Sequence, residues 1–480
     1  MSRMRDQLLR NKRKDTAPVE REETSGSVPI PVEGEETSAT VPIPMESEES
    51  STPVIIREDE QEWKELDAGY PSAEHGEFIV RTRTYPLHTT HGHYQLSELA
   101  ARLPALSILC KQRPLENLEQ FVFMDTETTG LGLGAGNLPF MIGVGFFQEQ
   151  QFVIEQLLIR HPAEEPALLA YLLQRLRGRT HLVTYNGKSF DWPLIKNRFI
   201  IHRYEEESRQ LEHMDALYPS RSLWKHVLES CRLSMVERER LGVSRMDDLP
   251  GSEAPAKYFE YLATKDPLVL SGVFHHNELD LLSLVTLCTH MGYATEGKLA
   301  YEYMGPEEQY RLFVWYDRMD LTALAEGMLE RILSRELPQQ KPYLGAIASY
   351  YKKQKKWELA EKLWKEDLTA HAGDRLHPIA SYIELSKLYE HVYKKPDTAL
   401  TYARDALEQW TRLKSATRMD ADRQDKDRLA LQKRIERLDR RSQQQAHRNS
   451  TRSTRSRNQK KQQGKGQVEQ HEHQGFLFEL

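Results

Sequence analysis

Apolar residues recur at alternate positions, or in short unbroken runs, along the first half of the chain. This pattern predicts β-strands at 77–87, 121–124, 139–147, 151–159 and 181–186. A stretch with helical apolar spacing, 164–178, separates the last two strands and ends on Gly178. Three antiparallel strands, a helix and a parallel strand predict an α/β domain, which we place at 76–295.

The second half of the chain has helical spacing throughout. Pairs of helices repeat within 300–412, and Ala323, Ala360 and Ala399 are predicted to occupy equivalent positions of the second helices. Their spacings of 37 and 39 residues are slightly longer than the tetratricopeptide period of about 34 residues. These units resemble tetratricopeptide repeats. We therefore expect an all-α domain that docks a protein partner, whose identity the sequence leaves open.

Both ends of the chain have compositions that do not favour a packed core. Residues 19–62 carry 13 acidic and 2 basic side chains and contain a proline-spaced 13-residue repeat, whereas 411–467 carry 18 basic and 6 acidic ones. We expect a disordered acidic segment at 1–75, and a basic helix with a disordered tail at 413–480. The basic stretch is either a solvated tail or a non-specific contact for phosphates.

The cysteines and the hydrophobic runs bear on where the protein works. The sequence has no run of 18 apolar residues that would predict a membrane span, and its basic start lacks the apolar segment of a signal peptide. Cys110, Cys231 and Cys288 have no metal-ligand spacing and are expected to be buried thiols. We expect a cytoplasmic protein without membrane contact.

The candidate chemistry begins where the strand at 121–124 ends in Asp125-Thr126-Glu127. Side chains at positions i and i+2 of a strand point to the same face, so the two carboxylates are expected to lie side by side. A divalent cation between them would offset their repulsion, and hard oxygen ligands of this kind suit Mg²⁺ or Mn²⁺.

Two further acidic residues follow at strand and helix ends. Asp191 precedes Trp192-Pro193, where an aspartate is an ordinary helix N-cap, so it has both a structural and a ligand reading. Asp280 is placed at the start of a helix within 274–287, with His276 four residues before it on the same side. His275 can also approach Asp280 if the helix begins at or after Asn277. A histidine beside a metal-ligating carboxylate suits a general base.

The motifs DTETTGL, YNGKSFDWP and HHNELD together resemble those of the DEDD-type 3′ to 5′ exonucleases, which have a ribonuclease-H-like fold. Within that superfamily, GAGNLPFMIGVG, RMDDLPGSEAP and the appended helical repeats resemble the bacterial YprB-like family. The resemblance implies that two Mg²⁺ or Mn²⁺ ions are held by Asp125, Glu127, Asp191 and Asp280. It also implies that His276, or alternatively His275, takes a proton from the attacking water, and we favour His276.

A strand end of this kind admits a single-stranded terminus more readily than a duplex. We expect Thr128, Tyr185, Asn186 and Phe190 to contact nucleic acid, with the aromatic rings stacking on bases. Trp192 is close enough to take part, although core packing is its expected role. The other hypothesis is a tetratricopeptide adaptor whose nuclease fold binds nucleic acid without cutting it.

A short apolar cluster follows the polar tail, at Phe476, Leu477 and Phe478. Gln474-x-x-Leu477-Phe478 resembles the peptide by which bacterial polymerases and repair enzymes dock on the sliding clamp. In that reading Leu477 and Phe478 fill an apolar pocket and Gln474 makes orienting hydrogen bonds. A clamp partner would favour DNA over RNA as the substrate.

Overall fold

The computed structural model describes residues 59–72, 76–110, 113–130, 136–204, 211–246, 248–374, 376–416 and 426–447, with backbone only at 337 and 416. The predicted disorder at 1–58 and 448–480 lies outside these ranges. So do Gln474, Leu477 and Phe478 of the predicted clamp-binding segment.

The first folded region is built on a mixed β-sheet. Its strands, together with a two-stranded ribbon formed by β3 and β4, are β1 Ala68–Gly69, β2 Ile79–Pro86, β3 Thr90–His91, β4 Tyr94–Gln95, β5 Phe121–Thr128, β6 Pro139–Gln148, β7 Gln151–Leu158, β8 His181–Thr184 and β9 Glu212–Asp215. The order in the seven-stranded sheet is β1-β2-β7-β6-β5-β8-β9. Only the pairs β5–β8 and β8–β9 are parallel. The predicted series of three antiparallel strands, a helix and a parallel strand is confirmed.

Helices cover both faces of this sheet. They are α1 Glu60–Lys64, α2 Leu103–Leu106, α3 Glu165–Leu176, α4 Asp191–Ile201, α5 Leu217–Trp224, α6 Leu233–Val236, α7 Ala254–Thr264 and α8 Ser271–Thr295. Short 3₁₀ turns occur at Leu96–Arg102, Ser107–Leu109, Leu118–Gln120, Pro162–Glu164, Gly251–Glu253 and Pro267–Leu270, and a π-helical turn at Glu237–Leu241. Every helix in the described ranges is too short or too polar to span a bilayer.

The alternation of β5 divides its side chains between two hydrophobic cores. Phe121 and Phe123 belong to the core that contains the apolar face of α8, whereas Val122 and Met124 belong to the core under α3, α4 and α7. Because successive strand residues point to opposite faces, Asp125 and Glu127 continue the face of Phe121 and Phe123. The sheet therefore directs both carboxylates toward α8.

The sheet domain begins earlier than the predicted residue 76. Trp63 of α1 is fully buried and packs edge-on against Tyr261, with ring centroids 5.5 Å apart. Strand β1 pairs antiparallel with β2 and forms the edge of the sheet. The expectation that 59–72 is disordered is therefore wrong: a buried aromatic residue and strand pairing hold this segment in the fold.

The second region is helical. Its helices are α9 Pro306–Arg318, α10 Thr322–Leu333, α11 Leu337–Gln340, α12 Leu344–Lys353, α13 Trp357–Ala370, α14 Ala380–His391 and α15 Pro396–Ala416, with 3₁₀ turns at Tyr301–Tyr303 and Lys341–Tyr343. A final helix, α16, occupies 426–447. Its Arg434, Arg437 and Arg441 surround the buried carboxylate of Glu390 on α14 at N–O distances of 3.3, 2.8 and 2.9 Å.

In three of these helix pairs the connecting turn contains a residue in the left-handed conformation. Asp320, Lys355 and Lys394, each just before the second helix of its pair, have φ values of 57°, 60° and 57°. The residue after each donates its N–H to the carbonyl of a tyrosine in the preceding helix, namely Tyr316, Tyr351 or Tyr389. The pairs α9–α10, α12–α13 and α14–α15 therefore share a left-handed residue two positions before the second helix begins.

The predicted alanine register needs one correction. Ala323 is exposed, whereas Ala325 is fully buried, as are Ala360 and Ala399. Ala325, Ala360 and Ala399 are each the fourth residue of their helix. The equivalent residue in the first unit is thus Ala325, and the spacings become 35 and 39 residues.

Candidate active site

Two carboxylates emerge from the central strand at a break in its pairing. Asp125 lies opposite Gly143 of β6, and the register between β5 and β6 shifts directly after Glu127. Glu127 is buried and Asp125 half-buried. A bulge at a strand end redirects side chains out of the regular sheet, and bulges of this kind are frequent beside active sites.

The third carboxylate comes from the loop after β8. Asp191 is the first residue of α4 and not its N-cap, which is Phe190. The Thr126 hydroxyl on β5 donates a hydrogen bond to Asp191 Oδ1. The structure therefore gives Asp191 a long-range partner on the strand that carries Asp125 and Glu127, which the N-cap reading did not foresee.

The long helix α8 supplies the fourth carboxylate. Since α8 begins at Ser271, both histidines lie inside it, and the alternative that the helix begins at or after Asn277 is wrong. His276 is one turn from Asp280, with Nε2 3.8 Å from Oδ2. His275 is exposed, because a helical offset of five residues turns it away from Asp280.

An amide network fixes Asp125 against α8. Asn277 Nδ2 donates to Asp125 Oδ2 at 2.9 Å, and Gln156 Nε2 donates to Asn277 Oδ1 at 2.9 Å. Gln156 also donates to the carbonyl of Phe274 at 2.7 Å. A Cβ atom at Gly143 would lie 2.7 Å from Asn277 Nδ2. Only glycine at this position leaves room for the amide that orients Asp125.

One arginine links Asp280 to the histidine. The Arg245 guanidinium pairs with Asp280, with Asp248 Oδ2 at 2.9 Å and with Glu237 Oε1 at 2.6 Å. Asp248 Oδ2 also lies 2.8 Å from His276 Nδ1. Because a carboxylate accepts the proton on Nδ1, His276 keeps Nε2 free as an acceptor on the side of Asp280.

Residues 122–292, which contain all four carboxylates and His276, match the family model of the RNase_H superfamily. A second similarity extends much further along the chain. The uncharacterized protein YprB of Bacillus subtilis (strain 168) is 36% identical over 337 residues, which are 68% of this chain and 80% of that protein. The chain belongs to the YprB family.

The electrostatics of this YprB family member show how strongly the acidic groups affect one another. Burial raises the pKa of Asp125 well above its usual range, and the charges of Asp280, Asp191 and Glu127 raise it further. Burial, followed by the charges of Asp280 and Asp191, raises the pKa of Glu127 to about 8. Burial also raises the pKa of Asp191 to about 6 against the opposing hydrogen bond from Thr126.

Acidic groups that are held close together away from water repel one another, so a positive charge among them would be stabilising. Four carboxylates from β5, α4 and α8 form a set of hard oxygen donors, which fits a divalent cation. Nucleases of the RNase_H superfamily generally use divalent metals, so this site is where a YprB family member would hold one. Asp125, Glu127, Asp191 and Asp280 are the residues that fit.

Another grouping of potential ligands lies in the helical region. Asp367, His371 and His377 bring their ligand atoms close together. However, the two imidazole rings stack with centroids 4.0 Å apart and an interplanar angle of 16°. Lone pairs lie in the ring plane, so stacked rings do not aim them at one point. This cluster is better explained as an internal hydrogen-bonding group around Asp367.

The residues predicted to contact nucleic acid have different surroundings. Thr128 is buried, and its hydroxyl donates to the Gly130 carbonyl at 2.7 Å. The Tyr185 ring packs against the core that contains Phe121 and Phe123, and its hydroxyl donates to the Cys231 carbonyl at 2.8 Å. Base stacking on Tyr185 is therefore not supported. Asn186 is exposed and Phe190 half-buried. The predicted core role of Trp192 is confirmed, since it is only 8% exposed.

A further carboxylate, the buried Asp215, shapes the loop that leads to Asp191. Asp215 Oδ1 accepts the backbone N–H groups of Asn186 and Leu217 at 2.8 and 3.0 Å, and its Oδ2 accepts that of Lys188 at 3.0 Å. Asp215 was not predicted from the sequence. A strand ending in aspartate beside an Asn-Gly loop was the only available signal, because the hydrogen bonds join segments about 30 residues apart.

Proposed function

We propose that the chain is a metal-dependent 3′ to 5′ exonuclease that hydrolyses phosphodiester bonds at single-stranded ends of nucleic acid. The observation that carries this proposal is the convergence of Asp125, Glu127, Asp191 and Asp280 beside a histidine whose other ring nitrogen faces Asp248. Its membership of the YprB family and its match to the RNase_H superfamily support a hydrolytic nuclease reaction.

The four carboxylates would hold two Mg²⁺ or Mn²⁺ ions. When bound, such ions lower the pKa of a coordinated water and stabilise the negative charge that develops on the phosphate and the leaving oxygen. The chain itself fixes the ligands. Asn277 orients Asp125, Thr126 orients Asp191, and Arg245 orients Asp280.

His276 is the proton acceptor in this proposal. Its Nε2 is directed toward Asp280, and Asp248 holds the ring from the opposite nitrogen. A base that is oriented by a carboxylate can take a proton from water without rotating. Arg245 binds both Asp248 and Asp280, so it keeps the base at a fixed distance from the metal-binding carboxylates.

The adaptor hypothesis is not favoured, because an inactive relative has no need for four carboxylates and a histidine in one place. Degradation of end-labelled single-stranded DNA and RNA by the purified protein, with Mn²⁺, with Mg²⁺ and with chelator, tests the proposal. A 5′ label should yield a stepwise ladder, and a 3′ label should be released at once as a mononucleotide. Cleavage that is insensitive to chelator, or absent on both substrates, would contradict the proposal.

Substitutions of single carboxylates test whether the activity comes from the candidate site. Asp125→Asn and Asp280→Asn should abolish chelator-sensitive hydrolysis while the protein stays folded. Asp125→Asn removes a like charge, whereas Asp280→Asn gives up the ion pair with Arg245 but leaves that guanidinium paired with Glu237 and Asp248. Glu302→Gln, at an exposed carboxylate in the helical region, is the matched control. Full activity of either aspartate variant would contradict the assignment of these carboxylates as metal ligands.

The helical region would dock a protein partner in the manner of tetratricopeptide repeats, and the left-handed residue shared by three of its turns supports a repeat architecture. The segment Gln474-x-x-Leu477-Phe478 would bind the bacterial sliding clamp, which favours DNA as the substrate. A labelled peptide of residues 466–480, titrated against the clamp, should bind saturably and lose binding when Leu477 and Phe478 become alanine. We include a cytoplasmic location in the proposal, where the three free thiols would stay reduced.

A further inference from the structure

A cleft of about 700 Å³ opens between the sheet domain and α9. One wall is formed by the ends of β8 and β9 and the start of α5, and the other by α8 and by α9 with the turn after it. The lining side chains used below are Lys188, His213, Asp215, Tyr218, Trp315 and Arg318. Its volume is in the range of pockets that hold small organic ligands.

The cleft adjoins the candidate active site. Lys188 precedes Asp191 by three residues in the same loop, and the hydrogen bonds from Asp215 hold this loop at both Asn186 and Lys188. A strand whose end lies among the four carboxylates can therefore continue into the cleft.

The walls suit a flat, mostly apolar group. Val183, Met214, Cys288 and Met291 contribute apolar surface, and Trp315 is 5% exposed on the far wall. Tyr218 lines the cleft, and its side chain is 50% exposed. An exposed ring above apolar walls is a platform on which a nucleobase stacks.

Two cations at the mouth are available for phosphates. Lys188 lies with Nζ 5.9 Å from the Tyr218 ring centroid, and Arg318 ends α9. In the described part of the chain neither of them forms a salt bridge. The buried polar groups of the cleft are already used: Asp215 accepts three backbone N–H groups, and His213 Nε2 bonds to the Thr184 hydroxyl at 2.8 Å. Asp320 is an exposed acid on the rim.

We propose that this cleft binds the nucleotides that lie next to the reacting one in a single-stranded polynucleotide. Tyr218 stacks on a base, and Lys188 and Arg318 each contact a backbone phosphate. The inference rests on the proposed nuclease function and extends it. The helical region, through α9, forms part of the substrate site and does more than dock partners.

Binding is measured in chelator, where metal-dependent hydrolysis is off, by the anisotropy of a labelled single-stranded oligonucleotide. Tyr218→Ala should weaken binding by roughly 5- to 100-fold, the range for the loss of one base stack. Lys188→Gln and Arg318→Gln should each weaken binding and lower the slope of log K against log salt by about 0.7, the value for one phosphate contact on a single strand. All three side chains are exposed, so the variants should keep the parent melting temperature.

Tyr303→Ala and Lys362→Gln are the matched controls, since both residues are highly exposed and lie outside the cleft. They should leave affinity and salt slope unchanged. If Tyr218→Ala, Lys188→Gln and Arg318→Gln all bind the oligonucleotide with the parent affinity, the proposal is overturned. This holds even if the protein cleaves nucleic acid. Binding that depends on these residues in a protein that does not cleave would instead overturn only the proposed nuclease function.

Discussion

At the scale of single residues, the two adjacent histidines of α8 form an internal comparison. His276 faces Asp280 and Asp248, whereas His275 is exposed on another side of the helix. We expect His276→Ala to lower kcat by about 100-fold or more, the usual effect of removing a general base, and His275→Ala to change it little. Steady-state hydrolysis of a labelled oligonucleotide measures both. A larger loss in His275→Ala would move the base to that residue.

Gly143 gives a second prediction at this scale. Gly143→Ala should force Asn277 off Asp125, at a cost of about 1 to 3 kcal/mol in the free energy of unfolding and with a loss of activity. Adding Asn277→Ala should cost much less in this background than in the parent, since both changes disrupt one contact. Urea unfolding of the single and double variants measures this coupling.

The control for Gly143→Ala is Gly136→Ala, where an added Cβ meets nothing within 4 Å. Simple additivity of Gly143→Ala and Asn277→Ala would show that the glycine does not act through the amide.

The sequence predicted the four carboxylates of the candidate site better than the residues that hold them in position. Asp125 and Glu127 were visible because strand periodicity alone puts them side by side. Arg245 and Asp215 were not assigned, because their roles arise from contacts between segments far apart in the chain. His275 stayed open because the start of α8 is set by packing and not by a capping residue: Leu270 precedes it and makes no side-chain cap.

At the scale of elements, the repeated turn of the helical region carries a measurable strain. Lys355 has a φ of 60°, which costs a residue with a Cβ atom about 1 kcal/mol or more. Lys355→Gly should raise the free energy of unfolding by up to about 1 kcal/mol, after allowance for the greater entropy of glycine in the unfolded chain. Thermal unfolding monitored by circular dichroism measures the change.

Lys362→Gly is the contrasting variant, since Lys362 is exposed in the interior of α13. It should lower stability by about 1 kcal/mol. Two Lys→Gly changes, seven positions apart, are thus expected to act in opposite directions. The same sign for both would mean that the turn is not strained.

The helix pairs were predictable from periodicity, but the register of the first unit was not. Ala323 and Ala325 both fit an alanine-rich second helix, and only burial distinguishes them. The strands and the helices could both be predicted because apolar residues recur along each of them with a regular period. The segment 59–72 was missed because its acidic composition masks two buried residues, Trp63 and Ala68.

At the scale of the whole molecule, the sheet domain and the helical region share one core. Glu308 on α9 accepts hydrogen bonds from Trp224 Nε1 at 2.9 Å and from Arg240 Nε at 2.8 Å. Tyr316 also donates to the Ala294 carbonyl of α8 at 2.7 Å. A single hydrophobic cluster runs from Leu96 through both regions to Leu438. The two regions should therefore unfold together.

Glu308→Ala tests this coupling. It leaves the Trp224 indole N–H and the Arg240 guanidinium without their acceptor, so we expect a loss of about 3 kcal/mol or more in a single cooperative transition. Glu302→Ala, at an exposed neighbour, should have little effect. Calorimetry that resolves two transitions in the parent protein would contradict the shared core.

Acid should destabilise the contact between the sheet domain and the helical region. Burial lowers the pKa of His290 to about 4, and its ring lies 5.6 Å from that of Trp224. A histidine with a depressed pKa in the folded state contributes its full stability above the unfolded value of about 6.5 and loses it as pH falls toward the folded value. We expect a loss of about 2 kcal/mol between pH 7 and pH 5 from this group.

His290→Gln should remove that pH-dependent part, whatever its effect on absolute stability. Urea unfolding at the two pH values, in parent and variant, measures the difference. His226→Gln changes an exposed histidine and should leave the pH dependence intact. An unchanged pH dependence in His290→Gln would assign the acid sensitivity to other groups.

Arg245 bears on how the proposed metal site behaves when no ion is bound. Its guanidinium pairs with Asp280, Glu237 and Asp248 and so offsets part of their negative charge. The chain thus carries its own stand-in cation at the edge of the carboxylate cluster. If the proposed metal ions are removed, we expect the site to stay folded and aligned, so that chelation is reversible and activity returns when the ion is added back.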